Sequence, residues 1–257
     1  MVTPVWVSDE ESLKEILKRT IRQEDRQICL TECPEYANTL ARQKYPCVFV
    51  ERHKNDIGVF GVDLIFTADG EVTEPEQDLL EKTWQRHYHI PWQIARTERL
   101  LIRESVMADL PEFVKMYEEE RGNPDVIPMT GTPEEELASY IGWRYPLWGY
   151  GLWSVVELAT GQVIGRVGFQ EYECRSSEDT VLVRTELAYL VAGAYRRQGF
   201  AREAVQAVME YAEEELGLTE VYLRTSEENV PSRRFAEEMG FKKISKIEYR
   251  NDRRRRT

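Results

Sequence analysis

Glu186-Leu187-Ala188-Tyr189-Leu190-Val191-Ala192-Gly193-Ala194-Tyr195-Arg196-Arg197-Gln198-Gly199-Phe200-Ala201 is the stretch on which the fold of this chain turns. An apolar strand leads into a loop, and the loop into a helix whose start carries R-x-x-G-x-A at Arg196, Gly199 and Ala201. A helix start turns unpaired amides outward at the positive end of its dipole, which makes it a seat for a pyrophosphate. Gly199 lets a phosphate come close to the backbone, and small Ala201 keeps the next amide accessible. Arg196, Arg197 and Arg202 add positive charge on the same rim. Taken alone, R-x-x-G-x-A fits equally well a glycine-containing helix start with solvated arginines. The context downstream favours the phosphate seat: 30 residues after Gly199 comes Asn229-Val230-Pro231-Ser232-Arg233-Arg234-Phe235, ending in Met239-Gly240-Phe241.

Outward from this stretch, the periodicity predicts a strand over 99–104 and a helix from Asp109 through Arg121. Thr132-Pro133-Glu134-Glu135-Glu136 is a helix start, with a Thr cap, Pro in the first turn and acids on the positive dipole end. Residues 152–158 and 163–172 form an expected hairpin around Thr160-Gly161. A strand over 181–191, a long helix over 198–216, a strand over 221–225, a helix over 231–239 and a final strand over 243–249 complete the block.

The paired motifs resemble motifs A and B of the GNAT superfamily of N-acetyltransferases. Thr97-Glu98-Arg99-Leu100-Leu101-Ile102-Arg103 resembles the first strand of its ribosomal-protein N-terminal acetyltransferase-like branch. The resemblance spans about residues 97–249 and is weak over 121–148, where acceptor specificity lies. It implies an α/β (α+β) GNAT fold, a mixed, mostly antiparallel sheet with helices on both faces. It further implies that the fourth and fifth strands splay apart and that the pantetheine of acetyl-CoA fills the gap. On that mapping Tyr189, Leu190 and Val191 give main-chain contacts, and the Val191 N–H polarises the thioester carbonyl. Arg196, Arg197, Gln198, Gly199, Phe200, Ala201 and Arg202 hold the pyrophosphate, and Asn229 reaches the pantetheine arm. Glu186 stands where members carry a base or a water-orienting carboxylate. Its largely apolar neighbours predict burial, which suits proton uptake at working pH; a charge-paired edge-strand Glu is the alternative. Where many members have a general-acid Tyr, four residues before the final Gly, this chain has Ala236. Either Ser232 takes that role, or the thiolate leaves unprotonated and Ser232 only bonds backbone at a helix start.

The first block has another rhythm. Short apolar strands at 5–7, 27–30, 47–50 and 62–66 alternate with helices at 9–20, 34–44 and 74–88, which predicts a small parallel sheet covered by helices. The division expected is a Rossmann-like domain at 1–95 and a GNAT domain at 96–257, joined through Ile90-Pro91-Trp92-Gln93-Ile94. The first block lacks G-x-G-x-x-G and a P-loop lysine motif. Asp9 after the first strand is a phosphate-chemistry candidate or, more simply, a helix cap. His87 and His89 form an H-x-H with no evident further ligands, and no metal is expected. Scaffold, partner docking or a substrate-side wall are the roles open to this block.

With 34 basic and 46 acidic side chains the net charge is −12. That balance disfavours non-specific nucleic-acid binding and suits a cationic acceptor. No apolar run approaches a membrane span and no leader is visible, so a cytoplasmic protein is expected. Cys29, Cys33, Cys47 and Cys174 are expected to be reduced and mostly buried. A homodimer is one assembly open to the chain. The basic run Arg253 to Arg256 reads as a solvated tail or a nucleic-acid contact. The function expected is acetyl transfer from acetyl-CoA to a primary amine of a small molecule or protein N-terminus; a non-catalytic acyl-CoA-binding sensor is the alternative.

Overall fold

Three of the first four strands are nearly continuous apolar runs, as strands buried on both faces require. In the computed structural model, which describes residues 1–52, 59, 61–68, 74–123, 126, 131–175 and 179–252, they are β1 (Thr3–Trp6), β2 (Gln27–Thr31), β3 (Cys47–Glu51) and β4 (Leu64–Thr67). They pair parallel throughout in the order β1-β2-β3-β4. Three helices cover them: α1 (Glu10–Leu17), α2 (Pro34–Arg42) and α3 (Gln77–His87). Leu13 and Ile16 of α1 and Ala37 and Leu40 of α2 pack with Cys29, Cys47 and Phe49 on one face. Leu80 and Trp84 of α3 pack with Ile28, Leu30, Val48 and Val50 on the other. The strand order never reverses, so the described sheet has no switch point, the place where open parallel sheets take ligands.

Local chemistry gives Asp9 and His87 partners within this unit, Met1–Trp92. Asp9 is the cap of α1: its carboxylate accepts from Ser12 N (2.7 Å), which holds it below the ordinary carboxylate range. His87 Nδ1 lies 2.8 Å from Asp63 Oδ2, and no group of three or more His, Cys, Asp or Glu among the described residues could hold a metal ion. Pro75 lies just before Glu76, the cap residue of α3. The four cysteines are free; Cys29 and Cys47 are buried, with burial pushing the Cys29 thiol up to about 12, while Cys33 and Cys174 are partly exposed. No helix among the described residues is long and apolar enough to cross a membrane.

The second unit, Gln93–Thr257, is a mixed, mostly antiparallel sheet of eight strands in the order β11-β12-β10-β9-β8-β7-β6-β5. The strands are β5 (Gln93–Arg96), β6 (Leu100–Arg103), β7 (Leu152–Glu157), β8 (Val163–Arg175), β9 (Val181–Val191), β10 (Glu220–Arg224), β11 (Lys242–Lys243) and β12 (Glu248–Asp252). The helices are α4 (Leu110–Glu119), α5 (Pro133–Ser139), α6 (Tyr145–Trp148), α7 (Phe200–Glu214) and α8 (Val230–Glu238). Phe113 and Met116 of α4 and Leu137 of α5 pack with Leu190 on one face of the sheet. On the other face Tyr211 of α7 meets Trp153 edge-on.

Two departures from the sequence expectation have physical causes. Gln93 and Ile94, read as part of the joint, belong to an edge strand, Gln93–Arg96, that runs antiparallel to β6 with its register broken by a bulge. The final strand is instead a hairpin, since Ile244 N bonds back to Glu248 O (2.9 Å) and splits it into β11 and β12. The arginine run at 253–256 lies outside the described residues.

Asp109, just before α4, ties β6 to the helix layer. It accepts two bonds from Arg103 (2.7 and 2.8 Å), one from Val106 N (3.0 Å) and one from Ser154 Oγ (2.7 Å). Burial pushes its carboxyl up, but these donors outweigh burial and hold it below the ordinary range. A depressed folded pKa means its contribution is complete above the unfolded value of about 3.9 and is lost as pH falls through the folded value. Asp109→Asn should therefore cost about 1–3 kcal/mol near neutral pH and flatten the acid limb of stability. Melting temperature across an acid-to-neutral pH series for both proteins checks this; an unchanged acid limb contradicts it.

Candidate active site

β9 and β10 are parallel neighbours that share a single register pair, Tyr222↔Glu186. Beyond it β9 continues to Val191 paired only with β8, its partners running from Phe169↔Leu187 to Gly165↔Val191. The two strands thus diverge into a notch. Ala192 N donates to Ile164 O (2.9 Å), so the antiparallel alternation turns Leu190 toward β8 and the N–H and C=O of Tyr189 and Val191 into the notch. The Val191 carbonyl accepts Arg196 Nε (2.8 Å) there.

The loop from the end of β9 climbs to the start of α7 through two left-handed residues, Arg197 (φ 58°) and Gly199 (φ 86°). No side chain caps α7, and the amides of Gln198, Gly199, Phe200, Ala201 and Arg202 have no acceptor among the described residues. Five outward amides at a helix N-terminus are an anion seat in backbone form. Of the three arginines on the rim, Arg196 pairs with Glu120 and Arg202 with Glu238, while Arg197 is exposed. Burial pushes the Glu120 carboxyl up, but bonds from Asn123 and Arg196 outweigh it and hold it low.

Glu186 lies at the vertex of the notch and is 3% exposed. Both its oxygens are engaged side-on by Arg224, Nε to Oε1 at 3.0 Å and Nη2 to Oε2 at 2.8 Å, and Gln170 Nε2 donates to Oε2 at 3.2 Å. The Arg224 guanidinium, itself held further into its charged form by Glu186, stacks 4.1 Å from the Tyr172 ring centroid. Across the notch, Asn229 caps α8 by accepting from Ser232 N (3.1 Å). Ser232 Oγ is 3.3 Å from the Tyr189 hydroxyl, whose ring packs on Phe235 with centroids 4.8 Å apart. The structure thus places Glu186 where β9 and β10 part, brings Tyr189, Ser232 and Asn229 together at the start of α8, and sets the 196–202 turn beyond the end of β9. Ala236 is fully buried.

On the α4–α5 face stands a residue the sequence reading passed over. Arg166 of β8, opposite Leu190, is 3% exposed. Its Nη1 donates to Tyr117 Oη (2.9 Å) and Glu136 Oε1 (2.8 Å), and its guanidinium lies over the rings of Phe113 and Tyr140. Glu136, one of the acids of the α5 helix start, is committed to this buried arginine. Of the aromatic segment at 143–148, Tyr145 is buried, whereas Trp143, Leu147 and Trp148 are exposed.

The model of the GNAT acetyltransferase domain matches residues 99–242. Among solved structures, a GNAT-family protein from Bordetella pertussis is similar over 62% of this chain and 98% of its own, at 24% identity and a TM-score of 0.50. The ribosomal-protein-S5-alanine acetyltransferase from Vibrio fischeri is similar over 63% of this chain and 98% of its own, at 14% identity and a TM-score of 0.50. Both share the fold. The chain belongs to the GNAT acetyltransferase family, and acetyl transfer is its general activity.

Proposed function

We propose that the protein transfers an acetyl group from acetyl-CoA to a primary amine of a small molecule or a protein N-terminus by direct attack, with the chemistry carried by residues 93–257. The observation that supports this best is the notch itself, with outward main-chain groups at Tyr189 and Val191 and a turn of unpaired amides at its end. Pantetheine pairs with the main-chain groups of Tyr189 and Val191 as an added strand, whereas Leu190, expected to join them, has its main-chain groups turned to β8; Asn229 meets the pantetheine arm. The pyrophosphate sits on Arg196, Arg197, Gln198, Gly199, Phe200, Ala201 and Arg202. The amine nitrogen attacks the thioester carbon while the Val191 N–H stabilises the oxyanion, and collapse breaks the C–S bond. With Arg224 on both oxygens, Glu186 takes the amine's proton through a water at its remaining lone pair. Ser232, beside the Tyr189 hydroxyl, donates a hydrogen bond to the departing thiolate and relays to it a proton from solvent water, so that no serine alkoxide is left.

Residues 1–92 carry scaffold or docking duties in this reading. A non-catalytic acyl-CoA-binding module has one observation in its favour, the side-on locking of Glu186 by Arg224 together with Ala236 in place of a Tyr.

Thiol release from acetyl-CoA across a panel of amines, peptides and aminoglycosides separates the two. Binding comes first: acetyl-CoA at about a hundred times its dissociation constant should stabilise the protein by about 2.7 kcal/mol. Gly199→Glu, with φ at 86°, puts a strained backbone, bulk and negative charge into the seat and should abolish the shift in melting temperature. Absence of any shift or heat of binding in the wild type at millimolar CoA sinks the proposal.

A further inference from the structure

Behind the anion turn, in the turn between β5 and β6 and the first turn of α7, lies a set of bonds that none of the assigned roles uses. Glu203 Oε1 accepts Thr97 Oγ1 (2.5 Å) and Arg99 N (3.0 Å), and its Oε2 accepts Arg99 Nε (2.7 Å) and pairs with Arg99 Nη2 (2.6 Å). Arg99 Nη1 then donates to the carbonyl of Gln198 (3.0 Å), and the guanidinium lies 4.4 Å from the Phe200 ring centroid. Burial pushes the Glu203 carboxyl up, but the bonds from Thr97 and Arg99 outweigh it and keep it ionised well below neutral pH.

A planar trans peptide points its carbonyl and its N–H in opposite directions, and there is no cis peptide among the described residues. A grip on the Gln198 carbonyl therefore fixes the direction of the Gly199 N–H, which leaves on the opposite side, toward the anion seat. The peptide needs such a grip, because it sits between two left-handed residues, Arg197 and Gly199, and glycine could otherwise let it rotate. The Gly199 Cα is covered from the same side, since an added Cβ would come within 3.3 Å of Arg99 Nη2.

Resting on the reading of the 196–202 turn as the pyrophosphate seat, we infer that Arg99 and Glu203 are positioning residues for acetyl-CoA. Arg99 acts through the Gln198–Gly199 peptide without touching the ligand, and Glu203 orients Arg99. The clamp presets the amide direction, so binding does not have to order it.

The test compares two thioesters that differ in the pyrophosphate. Acetyl-CoA binding is measured by calorimetry and S-acetylpantetheine, which has no phosphate, by NMR shift titration, on wild type, Arg99→Gln and Glu203→Gln. Arg99→Gln should weaken acetyl-CoA by about tenfold to a hundredfold and leave S-acetylpantetheine within about twofold. Glu203→Gln should move acetyl-CoA the same way by about three- to tenfold, because Arg99 keeps its bond to Gln198. The Glu203 variant carries the comparison alone if Arg99→Gln does not fold. An acetyl-CoA affinity unchanged in the variants overturns the inference, and so does an equal loss for both ligands, which marks a general packing role. A wild type that binds acetyl-CoA while the variants match it fails only this inference; a wild type that binds neither ligand removes the pyrophosphate seat and the clamp together.

Discussion

Glu186→Gln should lower the rate of acetyl transfer by about 10²–10⁴-fold, the usual loss on removing a general base. Acetyl-CoA affinity should stay close to wild type, because the proposed contacts come from the β9 main chain and the amides at the start of α7. Gln preserves the shape that fits between Arg224 and Gln170 but lacks the charge to take a proton from an ammonium. The residue's ion pair supplies the control. If Glu186 serves only as a counter-ion, Arg224→Gln, which keeps the carboxylate and removes its partner, should cost as much turnover as Glu186→Gln. If the carboxylate receives the proton, Arg224→Gln should cost less than about tenfold, since Gln170 and the strand still position Glu186. Both variants are read by thiol release with whichever amine the panel yields, alongside melting temperature. Near-wild-type turnover in Glu186→Gln assigns the residue to structure, and the amine then reaches the thioester already neutral or loses its proton to bulk water.

The parts of this fold that were legible in the sequence are those decided within a few residues. The Thr132 capping box with Pro133 and the switch from the period of β9 to that of α7 rest on local propensity, and the structure has them there, with α7 opening at Phe200, two residues later than expected. What escaped depends on pairing at a distance. β5 is short and half polar, and it exists because β6 offers an edge, not because Gln93 to Arg96 favour extension. The partners of the site residues escaped for the same reason. Glu186 finds Arg224, Arg99 finds Glu203, and Arg166 finds Glu136, each across tens of residues and none at the helical spacing of three or four that a sequence reveals. One signal was available: Arg166 is the one charged residue in Val163-Ile164-Gly165-Arg166-Val167-Gly168-Phe169, an otherwise apolar run that had to be buried. A charge in the middle of such a run implies a buried partner somewhere else in the chain.

That partner is the basis of the second large effect: Glu136→Ala should destabilise the protein by about 3–5 kcal/mol. Burial alone would push the Arg166 guanidinium toward neutrality, but Tyr117, Tyr145 and Glu136 outweigh it and hold the charge. Arginine cannot shed its proton to escape, so removal of Glu136 strands a cation that is 3% exposed. The rings of Phe113 and Tyr140 offset only part of this, at about 0.5–2 kcal/mol for a desolvated cation over an aromatic face. The Nε and Nη2 atoms of Arg166 are buried without a hydrogen-bond partner among the described residues, so little is left there to share the load once Nη1 loses its carboxylate. The cost should belong to the stranded charge rather than to the lost bond. Arg166→Met in the Glu136→Ala background should therefore recover most of it, because Met fills a similar volume against the same rings and needs no counter-ion. Urea unfolding, with amide exchange along β8 to follow residues 93–257 separately from 1–92, reads both variants. A Glu136→Ala loss below about 1 kcal/mol would mean the guanidinium reaches water when its partner is gone, as exposed pairs do. A double variant no more stable than Glu136→Ala would place the cost in the packing of α5 instead of in the charge.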